Sequence, residues 1–208
     1  MKPISDFFPR MLPYLPGCPE PVAEQAILDA AIAFCESAQV LRAELPLFNT
    51  TPGVAVYALM APAQHQVARV LDVVVGRRAL SAAPSDLSGL PSDAHGAPAT
   101  YFVRAHAGGF QLHLHPRPDE GQPVRANVVL RPTRTATQLD PTLFDLWADA
   151  VLAGATARAM AIPGQPFSDP HGSMAYSAAA FRAASRARIE GGTGHVRPSL
   201  RVKSAPFA

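Results

Sequence analysis

The sequence predicts an α+β protein: a three-helix body, a small antiparallel β-rich domain inserted into it, and extended N- and C-terminal arms. Three observations carry that prediction. Toward both ends of the chain apolar residues recur at steps of three and four, the spacing of one helix face. Between residues 47 and 136 the period changes to two, the alternation of strands with one buried face. The residues beyond Gly194 lack the helical period and alternate basic with apolar side chains, and the opening is rich in proline. Residues 1–46 with 137–190 therefore form the helical body, 47–136 the insertion, and 191–208 an extended basic arm.

The opening "DFFPRMLPYLPGCPEP" holds five prolines and three aromatic rings in sixteen residues. Prolines at 9, 13, 16, 19 and 21 break any apolar core of a signal peptide. They also stiffen the segment and remove backbone donors. Phe7, Phe8, Met11, Leu12 and Tyr14 supply apolar area that a free tail would leave in water. The segment is expected to pack on its own helical body or on a neighbouring subunit.

After Pro21, apolar residues at Ile27, Ala31, Phe34, Ala38 and Leu41 share one helix face, with Glu24, Asp29 and Glu36 elsewhere. Pro46 is expected to end this helix. Thr51-Pro52-Gly53 separates two short runs, Leu47 to Thr50 and Val54 to Met60. "HQVARVLDVVVGRRAL" adds a strand with a turn near Gly76, and residues 81–99 read as a surface loop. In "YFVRAHAGGFQLHLH", Gly108-Gly109 predicts a two-residue hairpin turn, which needs positive φ. That turn sets Val103 opposite Leu114, Arg104 opposite His113 and His106 opposite Gln111. Val103, Ala105, Phe110, Leu112 and Leu114 then form one face; Arg104, His106, Gln111, His113 and His115 form the other. Val124 to Arg131 alternates likewise and is expected to pair with the hairpin as a third strand.

Asp140-Pro141 restarts helix, with an N-cap acceptor and a proline at the first helical position. Its buried stripe is Leu143, Trp147, Ala150, Gly154 and Ala157, and "IPGQP" stops it. Ser168-Asp169-Pro170 repeats the signal for a last helix, whose apolar positions Met174, Ala178, Phe181, Ala184 and Ile189 run to "EGGTG".

At 208 residues the chain is long enough to bury roughly 70% of its unfolded surface. Of its 48% hydrophobic residues, 38 are alanines, each offering little area to the hydrophobic effect. Charged residues are only 16%, which leaves few charges to cover a monomer and favours a subunit of something larger. Residues 182–208 hold six basic side chains and one acid, +5, so the remainder, 12 basic against 15 acidic, is −3. Two cysteines without a C-x-x-C pair suggest neither a disulfide framework nor a zinc ribbon, and point to a reducing compartment. No apolar run approaches the roughly 18 residues of a membrane span.

Signatures of P-loops, dinucleotide folds, zincins and serine hydrolases are missing. "HGSMA" at His171 is the nearest to a nucleophile motif, and its place at a helix start suits capping. His106, His113 and His115 on one hairpin face are the most enzyme-like feature, because histidines two apart on a strand can share a metal. Arg104, a fixed cation on that face, opposes such a site, so no metal is expected. The adjacent Asp119-Glu120 fall in a Pro/Gly turn and read as solvated loop charges. Arg182 and Arg186, one helical turn apart, with Arg197, Arg201 and Lys203 beyond, form a cluster of the kind that contacts phosphates. Phe207 is the one aromatic residue of the arm, too few to stack bases. A metal-dependent enzyme and a free nucleic-acid-binding protein are therefore the two rival readings to a structural role.

The order of elements resembles the head–tail adaptor (connector) proteins of tailed bacteriophages, particularly the short-tailed type. The likeness rests on "FFPRMLPYLPGCPEPVAEQAILDAAIAFCE", the β-rich insertion, "LFDLWADAVLAGATARAMAIPGQPFSDP", then "MAYSAAAFRAASRAR" and a basic tail. It implies a virion protein, made in the bacterial cytoplasm, with no catalytic residue and no cofactor. It implies a ring, usually of twelve copies, fixed beneath the portal at the head–tail junction. Such a ring extends the DNA channel used in packaging and ejection, touches DNA transiently, and offers a surface to a nozzle or tail-tube protein. Arg182, Arg186, Arg197, Arg201, Lys203 and Phe207 would then bind the portal.

Overall fold

The proline-rich opening coils into turns in the computed structural model, which describes residues 1–83, 94–106 and 109–192. After a short strand β1 (Lys2–Pro3) come a 3-10 turn (Ile4–Phe7), α1 (Phe8–Met11) and a second 3-10 turn (Leu12–Tyr14). Pro9 and Pro13 sit in the first turns of α1 and the second 3-10 turn, where a missing N–H leaves no bond unmade. The expected extended N-terminal arm is thus corrected to a folded segment.

α2 (Glu20–Ala38) stops well before Pro46, because Gln39 takes a left-handed conformation at φ 55° while its N–H closes on the Cys35 carbonyl. Leu41 is still buried, but on the extended chain leading into β2 (Arg42–Glu44). Ten residues of α2 are buried, more than one stripe can hold, because two later helices and a long strand cover different sides of it.

The period-two region makes strands β3 (Phe48–Asn49), β4 (Val56–Leu59), β5 (His65–Val75), β6 (Arg78–Ala79), β7 (Ser81–Ala82), β8 (Thr100–His106), β9 (Gly109–His115) and β10 (Pro123–Pro132). One sheet runs β2-β10-β5-β6, with β3 also on β10; a second runs β4-β9-β8-β7. β1 and β11 (Gln138–Leu139) form a separate pair. Among the described strands all pairings are antiparallel except β7 with β8, and the isolated bridge of His95 with Arg117 is also parallel.

β10 does not join the hairpin as a third strand. It lies between β5 and the short strands β2 and β3. Val128, Val129 and Leu130 are consecutive and buried, which a strand with one wet face forbids. Two irregularities of register, at Asn127/Val128 and Val129/Leu130, accompany that run.

The hairpin register also differs from expectation, by two residues: Phe102 faces His113, Val103 faces Leu112 and His106 faces Gly109. Gly109 is a strand residue and not part of the turn; Ala107 and Gly108 lie outside the described residues. A slip of two leaves every side chain on its own face, so the division into two faces is unchanged. Of the stretch expected to loop, residues 84–93 are outside the described set, and Ser81–Ala82 is strand.

The helix starting at Asp140 is two helices, α3 (Pro141–Asp145) and α4 (Ala148–Met160). The Asp140 carboxylate accepts from the Thr142 N–H at 2.8 Å. Trp147 leaves helical geometry between them at φ −124° and ψ 15°. α5 (Pro170–Gly192) closes the described chain.

The described residues therefore build five α-helices, two 3-10 turns and eleven strands, in place of a three-helix body with one small sheet. The cause lies in how much apolar surface the strands carry. Val67, Val73, Val75, Val124 and Val128 are all essentially inaccessible. They join the helices in one contiguous core, which a single hairpin sheet could not supply.

Candidate interaction surface

α4 is the buried centre of the helices, with ten of its thirteen residues inaccessible. It packs on α2 and on α5. The approach is close at Gly154, where a Cβ would lie 3.3 Å from the Ala30 Cβ and 3.8 Å from the Ala180 Cβ. Only small residues permit that spacing, so α5 presents alanines to its neighbours. Ala184 and Ala187 are buried there. The Ser173 hydroxyl, in the "HGSMA" motif, donates to the Ala157 carbonyl at 2.8 Å and ties the helix start to α4.

Because alanines occupy the inner pole of α5, its large residues stand outside. Of the apolar positions read from the sequence, Ala184 turns inward. Met174, Phe181 and Ile189 are 71%, 75% and 70% exposed. At about 100° per residue these three, with Ala178 and Ser185, fall within one narrow outward stripe. Arg182 and Arg186 flank it on one side and Arg188 on the other, all exposed. Arg197, Arg201, Lys203 and Phe207 lie outside the described residues. The sequence does hold the signal for this stripe. The α5 wheel has two apolar poles, one of alanines and one of large side chains, and only the latter suits a partner yet to arrive.

The N-terminal residues divide differently. Phe7 and Met11 are fully buried, Phe8 and Leu12 pack partly against the core, and Tyr14 is 59% exposed. Tyr14 meets the Tyr176 ring of α5 at 6.4 Å, and Arg10 donates to the Asp149 carboxylate of α4 at 2.6 Å. A groove of about 390 Å³ between Pro13, Tyr14, Asp149 and Tyr176 separates the segment from the helices. Nearby, at the α3–α4 junction, Leu146 is 62% exposed with exposed Asp145 and Asp149 on either side. Sequence reasoning missed this second patch, because Leu146 falls at the helix break.

The histidine face does not converge. His106 pairs with Gly109 at one end of the hairpin and His115 with Thr100 at the other, six residues and about 20 Å apart. His113 stacks on Phe102 with ring centroids 4.4 Å apart, and the Arg104 guanidinium lies 5.2 Å from the same ring. Burial, and secondarily Arg104, lower the His113 pKa; its Nε2 is buried with no hydrogen-bond partner. Among the described residues no three His, Cys, Asp or Glu side chains gather as metal ligands. The Asp119 carboxylate sits 3.5 Å from His95, and the Glu120 carbonyl accepts from Thr50 at 2.7 Å. Both belong to a loop pinned by backbone bonds.

No curated protein matches this chain. The SU10 adaptor protein family matches residues 9–202, from the proline-rich opening through α5 and beyond. That span covers nearly the whole chain, helices and sheets alike. The chain belongs to the SU10 adaptor protein family, a family of bacteriophage head–tail adaptors.

Proposed function

We propose that this chain is a structural virion protein that assembles as a dodecameric ring beneath the portal, extends the DNA channel and carries the attachment surface for a nozzle or tail-tube protein. The observation that supports the reading is the outward face of α5, where exposed arginines and large apolar side chains stand together. A helix that turns these outward and alanines inward has its packing partners outside its own subunit. Arg197, Arg201, Lys203 and Phe207, which follow α5 along the chain, contact the portal. The basic residues beyond α5, Arg197, Arg201 and Lys203, meet passing DNA transiently.

Electron microscopy of the protein mixed with its portal tests the assignment. Rings seated on the portal are the expected result, with only weak, salt-sensitive binding of the free monomer to duplex DNA. Bare portals beside free monomers overturn it.

A further inference from the structure

The outward stripe of α5 points to its own occupant. Met174 and Ile189 are fifteen residues apart on one continuous helix, so the stripe runs about 22 Å. Its large members are each at least 70% exposed. Large apolar side chains this exposed along one helix face, interrupted only by Ser185, mark an interaction site. Its flanks are cationic, so the matching surface needs an apolar centre bordered by carboxylates.

The same chain carries that counterpart. Leu146 stands 62% exposed at the α3–α4 junction, with Asp145 before it and Asp149 three residues after. The Asp149 side chain, though 92% exposed, is held by Arg10 of its own subunit, which leaves Asp145 as the carboxylate beside Leu146; Tyr14, also exposed, lines the same groove as Asp149. The two patches differ in shape and in sign of charge. A contact between them is therefore heterologous: each subunit offers one patch forward and the other backward, which is what a closed ring requires. A nucleic acid would leave the central Met, Phe and Ile side chains without a partner.

We propose that the α5 stripe of one copy docks on the Leu146 patch of the next, with Arg182 and Arg186 facing the neighbour's Asp145. This rests on the ring reading above and names the surfaces that close it.

Two measurements on the full-length protein test the docking. With a photo-reactive benzoylphenylalanine in place of Phe181, irradiation of rings on the portal is expected to join adaptor to adaptor, at residues 145–149. Crosslinks that go instead to the portal or to DNA overturn the docking. Separately, Phe181→Glu is expected to fold as wild type, because the side chain is exposed, and to cut ring yield at least tenfold. Arg182→Glu with Arg186→Glu does the same, and Asp145→Arg in that background restores part of the yield. Phe181→Glu rings at wild-type yield overturn the docking alone, whereas a wild type that forms no ring removes the assembly reading itself.

Discussion

The Phe7 ring stands edge-on to the Phe144 ring, with centroids 5.1 Å apart and planes at 80°, and so pins the N-terminal segment to α3. Phe7 has no exposed surface. Phe7→Ala is expected to cost about 3–5 kcal/mol, read from the midpoint of urea unfolding at constant slope. Phe7→Leu, which refills most of the volume, should cost well under half of that.

The Arg10–Asp149 pair joins the same segment to α4, but its side chains are 47% and 92% exposed. Water screens such a pair and the long arginine loses freedom in holding it, so a double-mutant cycle should give a coupling below about 1 kcal/mol. Most of the stability that anchors the segment comes from its buried Ile4, Phe7, Met11 and Leu15.

Gly154 sits where α4 meets both α2 and α5. Gly154→Leu gains helix propensity but has no space to occupy, and the surrounding backbone must part. A loss of about 1–3 kcal/mol is expected, read as a fall in thermal midpoint.

Burial holds the folded-state His113 pKa below its ordinary value of 6.5, with Arg104 adding to the shift. Below that pH the unfolded chain takes up a proton that the folded chain resists. Stability therefore falls as pH drops through about 6.5 and is unaffected by this residue above it. His113→Phe should flatten that part of the stability profile between pH 7 and 5, measured by urea unfolding at each pH.

Burial also pushes the Cys35 thiol up, with Asp140 adding to the effect, and Cys35 has no exposed surface. Cys18 is only partly buried, with a smaller rise. A thiol reagent at pH 8 should therefore modify Cys18 alone in the folded protein and both residues in urea. Rapid modification of both in the native state would contradict the core packing of α2.

The elements most legible from sequence were those fixed by local chemistry. Asp140 caps the Thr142 N–H whatever the rest of the chain does, and Pro170 opens α5 because proline suits a first helical turn. The assignment of Val103, Leu112 and Leu114 to one hairpin face also holds, since alternation survives a register slip of two. Illegible were features set by competition between distant segments. The run Val128-Val129-Leu130 marks β10 as covered on both faces, but whether β5 or the hairpin pairs with it is a choice between distant segments. At the helix break, Trp147 packs its indole 5.9 Å from the Phe34 ring of α2, a partner far away along the chain.

For the interaction surface the division is sharpest on α5. The sequence by itself determined a helix with large apolar residues at Met174, Phe181 and Ile189, alanines on the opposite pole, and arginines between them. Which pole would turn inward was decided by the tertiary structure, through the room left at Gly154 and Ala30. Only a row of alanines approaches that closely, and the excluded large side chains were left facing outward, available to a second subunit.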